Sequence, residues 1–488
     1  MENNEQIIHP VTTAVLPGQR HVRKRPCENS FVSRWHLSPA GSPNSNPRQA
    51  ACNLLLRLLK EGGYADRLMD QELLHGQLSG PDRGLFAELV FGVLRRQGTL
   101  DHILTGLVNQ PLAKLEPQVL ILLRLGLYQL VYLDRIPESA AVNESVKLVK
   151  LILPRASGLI NAVLRNYLRH KDTITFPDPV AAPVAYVAAR HSQPAWLVKK
   201  WFSQLGEKET ELLAEASSMQ PPLTIRTNSL RISRPELLHR FSANGIAAVQ
   251  CNYSPLGIQL EGRHHIPGLP GFREGLFAVQ DEASQMAAML LDPQPGERVL
   301  DTCAAPGGKA THLAQLMENR GELLAMDISA AKLATVREAA ERLGCSIVTT
   351  RKADLMQSAA LPENAFDRLL LDAPCSGLGV IRRNPEAKWR PTADDITRLA
   401  ASQKTMLKNA IRLLKPGGVM LYSTCSTDPE EDEAVVQEVL SRNKECRLEN
   451  LNQLFPDLAA LFTPEGMFRA WPHRHGMDGF FAARIRKK

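Results

Sequence analysis

Arg298-Val-Leu-Asp301-Thr-Cys-Ala-Ala-Pro-Gly307-Gly308-Lys309 reads as a strand, a glycine turn and the start of a helix over Ala310–Met317. Leu323-Leu-Ala-Met-Asp327 ends a second apolar run in an acid. Asp354 follows a third run, Ser346–Thr350, and Leu369-Leu-Leu-Asp372 closes a fourth. Strand patterns alternating with helical ones predict a doubly wound α/β sheet from about residue 280 to the end. Ligands of such sheets bind beyond the carboxyl ends of the strands, where all four acids fall.

The glycine turn lets a backbone approach a ligand closely, and the helix start behind it offers free amides. Residues Cys303, Ala304, Ala305, Pro306, Gly307, Gly308 and Lys309 are therefore the candidate cofactor loop, with Asp327, Asp354 and Asp372 beside it. The phosphate-loop pattern is missing, because Ala310 stands where a magnesium-binding Ser or Thr would. Acids in series suit ribose hydroxyls, an adenine amine and a cationic centre. That set describes S-adenosylmethionine better than NAD or ATP, although each acid taken singly also serves as a helix cap.

Two cysteines fall just past strand ends, in Asp372-Ala-Pro-Cys375-Ser-Gly and Tyr422-Ser-Thr-Cys425-Ser. Carbon 5 of cytosine is a poor nucleophile because its ring is electron-deficient. A thiolate adding to carbon 6 makes an enamine and activates carbon 5, so covalent catalysis divides one hard step into two easier ones. A thiol after the proline also argues against methylation of an exocyclic amine, where an aromatic would stack the base. Of the other thiols, Cys52, Cys251, Cys345 and Cys446 are read as core residues.

The rest of the chain frames this domain. At 488 residues, two to four domains are expected. A hydrophobic fraction of 44% and a charged fraction of 22% suit a globular protein. Net charge is +7 and the pI about 9.0, which permits a nucleic-acid partner without requiring one. Eight dispersed cysteines without a CxxC pair suggest neither a zinc site nor a disulfide framework, and fit a reducing cytoplasm. No apolar run is long enough to span a bilayer and no signal peptide opens the chain, so no membrane association is expected. A monomer without metal is anticipated.

Residues 1–45 read as a disordered polar tail carrying the basic cluster Arg20-His-Val-Arg23-Lys24-Arg25. Residues 46–171 show helical periodicity throughout and predict an all-helical domain of five to seven helices, with no cluster that could do chemistry. Residues 172–220 read as a linker and helical connector, in which Trp196 and Trp201 belong to a core. Residues 221–279 alternate strand, helix and strand patterns, a small α+β module of a type that handles RNA. Residues 280–488 complete the chain. Arg226, Lys309, Arg382, Arg383 and Lys388 are expected to form a basic RNA-binding track.

Asp301 to Lys309, Leu371-Asp-Ala-Pro-Cys-Ser-Gly-Leu-Gly379 and Tyr422-Ser-Thr-Cys-Ser426 together resemble the RNA cytosine-5 methyltransferases of the Sun/Nop2 family. Leu123-Arg-Leu-Gly-Leu-Tyr-Gln-Leu130, Arg135-Ile-Pro-Glu-Ser-Ala-Ala-Val-Asn-Glu-Ser145 and Gly158-Leu-Ile-Asn-Ala-Val-Leu-Arg165 resemble the NusB-like domain carried by its bacterial 16S rRNA members. The resemblance implies a Rossmann-like methyltransferase domain, S-adenosylmethionine as cofactor and 16S rRNA as partner. It implies Cys425 as nucleophile and Cys375 as the aid to product release, with Asp372 beside them. A tRNA cytosine-5 methyltransferase is the neighbouring alternative, against which the NusB-like domain speaks; a non-catalytic assembly factor would need a broken thiol motif, and neither is broken.

Overall fold

The computed structural model describes residues 46–75, 78, 80–262, 264–357 and 361–488. The amino-terminal tail and its basic cluster lie outside the described residues. Six helices form the first domain: α1 Pro47–Glu61, α2 Ala65–His75, α3 Gly80–Thr105, α4 Pro117–Tyr132, α5 Glu138–Ile152 and α6 Ser157–His170. Asn46 caps α1 by accepting from the Arg48 and Gln49 amides, and Pro47 sits at its first turn. The apolar faces of these helices meet in one core around Leu89, Leu100, Leu123, Leu127 and Ile160.

The connector is helical as well, with α7 Pro183–Arg190, α8 Ala195–Leu205 and α9 Glu207–Ser217. Gly206, at φ 78°, breaks α8 from α9. Trp201 is fully buried and Trp196 packs beside it, both against Leu378, Ile381 and Trp471 of the last domain. Thus the connector supports the loops that follow the thiol-bearing strands.

The small module pairs β1 Leu223–Thr227 with β3 Gly257–Leu260 and β4 Phe277–Val279, and β3 with β2 Ala248–Gln250, all antiparallel. Helix α10, Arg234–Ala243, starts with a reciprocal capping box between Ser233 and Glu236 and buries Leu237 and Phe241 on that sheet. Strand β4 is only three residues long and carries no alternation that the sequence could reveal.

The last domain opens with α11, Glu282–Leu291, and continues β5 Arg298–Asp301, α12 Gly308–Leu316, β6 Glu322–Asp327, α13 Ala330–Leu343, β7 Val348–Lys352 and β8 Phe366–Asp372. It ends with α14 Ala393–Leu413, β9 Leu414–Thr424, α15 Glu433–Ser441, β10 Cys446–Leu448, β11 Phe468–Ala470 and β12 Phe480–Lys487. Sheet order is β7-β6-β5-β8-β9-β12-β10, with β11 also on β12. The strands from β7 to β9 are parallel; β10, β11 and β12 join antiparallel. The chain winds outward from β5 toward β7, then returns to place β8 on the other side of β5. That reversal is a topological switch point, and it opens a crevice beyond the ends of β5 and β8. Buried apolar side chains cover both faces, as a parallel sheet requires.

No helix among the described residues is long and apolar enough to cross a membrane. The four structural cysteines, Cys52, Cys251, Cys345 and Cys446, are all buried.

Candidate active site

Register brings the two thiols together. Strands β8 and β9 are adjacent, with Leu371 beside Tyr422 and Asp372 beside Ser423. The chains leaving those ends put Cys375 Sγ 3.3 Å from Cys425 Sγ. Gly379 donates its amide to the Cys425 carbonyl at 2.9 Å, and Gly479 donates to the Gly379 carbonyl at 2.8 Å. A Cβ on Gly379 would sit 2.0 Å from the Gly479 oxygen, so the two loops meet this closely only through bare backbone.

Glu431, fully buried, ties the loops a second time. It accepts from the Ser376 amide at 2.8 Å and from Ser426 Oγ at 2.6 Å, while the Ser376 hydroxyl also donates to it. Gln403 of α14 donates 3.1 Å to Glu431 and 2.9 Å to the Pro374 carbonyl. The sequence reading missed Glu431 and Gln403. One signal was present, since each motif cysteine is followed by a serine, but nothing local shows that a single carboxylate would take both.

Asp372 accepts from Lys309 Nζ at 2.7 Å and from Ser423 Oγ at 2.8 Å, which fixes its carboxylate at the mouth of the crevice. Burial pulls the Lys309 pKa down, but the adjoining Asp372 and Cys425 outweigh it and raise it overall. Its ammonium also lies 5.3 Å from the Phe480 ring centre. The Cys375 thiol is pushed well above its ordinary range, first by its hydrogen bond with Cys425 and then by burial. Cys375 therefore keeps its proton.

The loop Cys303–Lys309 runs from β5 into α12 beneath these groups. Gly307 holds φ 104° and a Cβ there would press on Val336 Cα at 3.1 Å, so glycine is required. At Gly308 an added Cβ would meet nothing nearer than 3.9 Å, which leaves the backbone open toward the crevice. Asp301, almost wholly buried, makes no hydrogen bond of good geometry through either carboxylate oxygen, although the Cys303 amide and Lys309 act on it. Burial, then the neighbouring Asp372, pushes its pKa up to about 7. Asp327 accepts from the Ser329 amide at 2.8 Å and Asp354 from the Met356 amide at 2.9 Å, each in a local turn. The four acids do stand at the ends of β5, β6, β7 and β8.

Most of the expected basic track is not on the surface. Arg226 is fully buried beneath the cofactor loop, donating to Gln280, to the Gly308 carbonyl at 2.7 Å and to Thr311 Oγ1 at 3.0 Å. Lys388 is fully buried against α3 and donates to the Arg95 carbonyl at 3.1 Å. Arg382 and Arg383 both pair with Asp281 and Asp478, an ion cluster that joins β4's exit to the loop before β12. Of the five, only Lys309 borders the thiol crevice. The sequence shows that these residues are basic; it does not show that their charges are spent inside the protein.

Comparison with known proteins agrees with this geometry. Residues 288–486 match the family described as 16S rRNA methyltransferase RsmB/F, residues 45–169 match the NusB family, and residues 193–267 match the ferredoxin-like domain of RsmF/B-like methyltransferases. The "Probable ribosomal RNA small subunit methyltransferase B" of Bacillus subtilis (strain 168) is 36% identical over 90% of this chain and 98% of its own length. The solved structure of PH0851 superimposes with a TM-score of 0.75 at 29% identity, over 91% of this chain and 99% of that one. The structure of NSun6 from Pyrococcus horikoshii with SFG gives a TM-score of 0.53 at 25% identity, over 60% of this chain and 98% of that one. With its two paired thiols, its switch-point crevice and its leading helical domain, this chain belongs to the S-adenosylmethionine-dependent 16S rRNA methyltransferase RsmB/F family.

Proposed function

We propose that the protein methylates carbon 5 of a cytosine in 16S rRNA through a covalent adduct with Cys425. The observation that carries this reading is the 3.3 Å approach of Cys375 and Cys425 beside the Lys309–Asp372 pair. One thiol suffices for addition to a base. A second, held at hydrogen-bonding distance and keeping its proton, suits the reversal of that addition.

The residues present fit S-adenosylmethionine. Asp301 is a buried carboxylate without a hydrogen bond of good geometry, which a cationic centre would complement, and Gly308 leaves backbone room for a close approach. We assign the loop Cys303 to Lys309 together with Asp327, Asp354 and Asp372 to hold it. Bound there, it supplies an electrophilic methyl group.

The protein's own groups do the rest. Cys425 adds through its sulfur to carbon 6, and the ring electrons move to make carbon 5 nucleophilic. Asp372, its orientation set by Lys309 and Ser423, holds the exocyclic amine or ring nitrogen and favours addition. Once carbon 5 carries its methyl, a base takes the carbon-5 proton, that C–H pair becomes the 5,6 double bond, and the bond from Cys425 to carbon 6 breaks with its pair returning to the Cys425 sulfur. Cys375, its sulfur 3.3 Å from Cys425, balances that elimination by giving its proton to the departing Cys425 sulfur and taking up the carbon-5 proton in its place.

Bisulfite sequencing of an unmodified 16S rRNA transcript, treated with protein and S-adenosylmethionine, tests the reading. Protection of a discrete cytosine is expected. Methyl incorporation with no protected cytosine would exclude carbon 5 as the acceptor.

A further inference from the structure

Tyr64 stands in the helical domain, after Gly62 and Gly63 and directly before α2, yet it is drawn to the catalytic domain. The next residue, Ala65, donates its amide to Glu386 Oε1 at 3.0 Å. Glu386 belongs to the segment that leaves Cys375, and this segment is clamped to α3 at further points. Trp389 Nε1 donates to the Leu94 carbonyl at 3.2 Å, Lys388 to the Arg95 carbonyl at 3.1 Å, and Arg95 to the Arg382 carbonyl at 3.3 Å. The clamp is buried: Glu386 is 3% exposed and Lys388 0%.

Tyr64 itself is 47% exposed, and two guanidinium groups lie near its ring. Arg67 of α2 is 5.8 Å from the ring centre and Arg390 of the catalytic domain is 5.9 Å away. Both arginines are exposed. Burial of its ring edge raises the Tyr64 hydroxyl pKa, and Cys425 and Cys375 add to that rise, while Arg390 and Arg67 oppose it. An exposed aromatic ring beside two exposed cations is an arrangement that receives a nucleobase and its flanking phosphates, whatever the base.

We propose that Tyr64 is a positioning residue lent by the NusB-like domain: its ring stacks on an RNA base beside the target cytosine, and Arg67 and Arg390 take the adjoining phosphates. The inference rests on the reading of the thiol crevice as the RNA-modifying site. It makes the helical domain part of the substrate entrance rather than only an anchor to distant RNA.

The test uses the full chain and an unmodified 16S rRNA transcript. Binding is measured in a Cys425→Ala background, so that it does not depend on turnover. Tyr64→Ala should weaken RNA binding about tenfold, the loss of one base stack, with S-adenosylmethionine affinity and melting temperature unchanged. Tyr64→Phe should restore binding to within about twofold, because stacking needs the ring and not the hydroxyl. Tyr64→Trp should lose emission at that position when RNA is added, relative to the parent with its native tryptophans. Unaltered RNA affinity in Tyr64→Ala, or a Tyr64→Phe variant as weak as Tyr64→Ala, would overturn the proposal. If the parent binds the transcript normally yet never methylates a cytosine carbon 5, the proposed function fails while the stacking role stands.

Discussion

Cys375 and Cys425, fifty positions apart in the chain, meet at 3.3 Å because β8 and β9 run parallel and in register. Strand pairing sets the approach to within a few ångströms, and the Gly379–Gly479 contact with the Glu431 bridge does the remainder.

Cys425→Ala should abolish the covalent complex with RNA containing 5-fluorocytosine. Such a complex forms only if a thiolate adds to carbon 6 and the carbon-5 substituent cannot then leave. Gel mobility under SDS reads the result. A complex that persists in this variant would remove Cys425 from the nucleophile's place.

Cys375→Ala should reach the methylated adduct and fail to leave it. Incubated with cytosine RNA and cofactor, this variant should yield an SDS-stable complex that vanishes on RNase treatment. Wild type should show little, and the Cys375/Cys425 double variant none. Adduct in Cys425→Ala but not in Cys375→Ala would reverse the two roles.

Asp301→Asn should separate cofactor binding from stability. A folded-state pKa of about 7 lies above the ordinary 3.8, so the folded chain holds this proton more tightly between those values. Stability therefore falls as pH rises through that window, with the penalty complete above pH 7 and absent below about pH 4. The shift corresponds to a penalty on the order of 4 kcal/mol. Without cofactor, Asp301→Asn should melt several degrees higher than wild type at pH 8 and no higher at pH 4. Calorimetric S-adenosylmethionine affinity should drop by at least about tenfold. Equal affinity in the variant would show that the carboxylate does not face the cofactor.

Arg382→Ala should destabilise the fold by about 3 kcal/mol, because Asp478 would be left buried with one of its two cations gone. Arg226→Ala should cost a similar amount through the lost bonds to Gly308 and Thr311. Neither should change the slope of RNA affinity against log salt, since neither charge reaches phosphate. Denaturant melts and salt titrations distinguish this from a surface track, in which the slope flattens and stability holds.

Gly379→Ala should leave the sheet intact and cut turnover by 10²-fold or more, on the order of what about 1 Å of misplacement costs. Its methyl would meet the Gly479 carbonyl at 2.0 Å and push the two thiol loops apart. Far-ultraviolet dichroism should match wild type while methyl transfer falls. Normal turnover would show that the Sγ–Sγ approach tolerates this displacement.

What the sequence determined alone is what local chemistry specifies. The run Arg298–Lys309 is a strand, turn and helix start because apolar residues, glycines and then helix formers follow one another within a few positions. Helical periodicity gave the first domain for the same reason, and the cysteine motifs pointed to the covalent chemistry proposed above. Only the tertiary structure decided which charges are available. Arg226, Arg382 and Lys388 look like any surface base in one dimension, yet packing closes over them and gives their donors to Gly308, Asp478 and Arg95. Glu431 and Tyr64 were invisible for the complementary reason. Glu431 bridges serines held on two different strand-end loops, and Tyr64 meets Arg390 of another domain where Ala65 bonds to Glu386. Such contacts arise from register and domain packing, in which residues hundreds of positions apart become neighbours, and no local pattern encodes that distance.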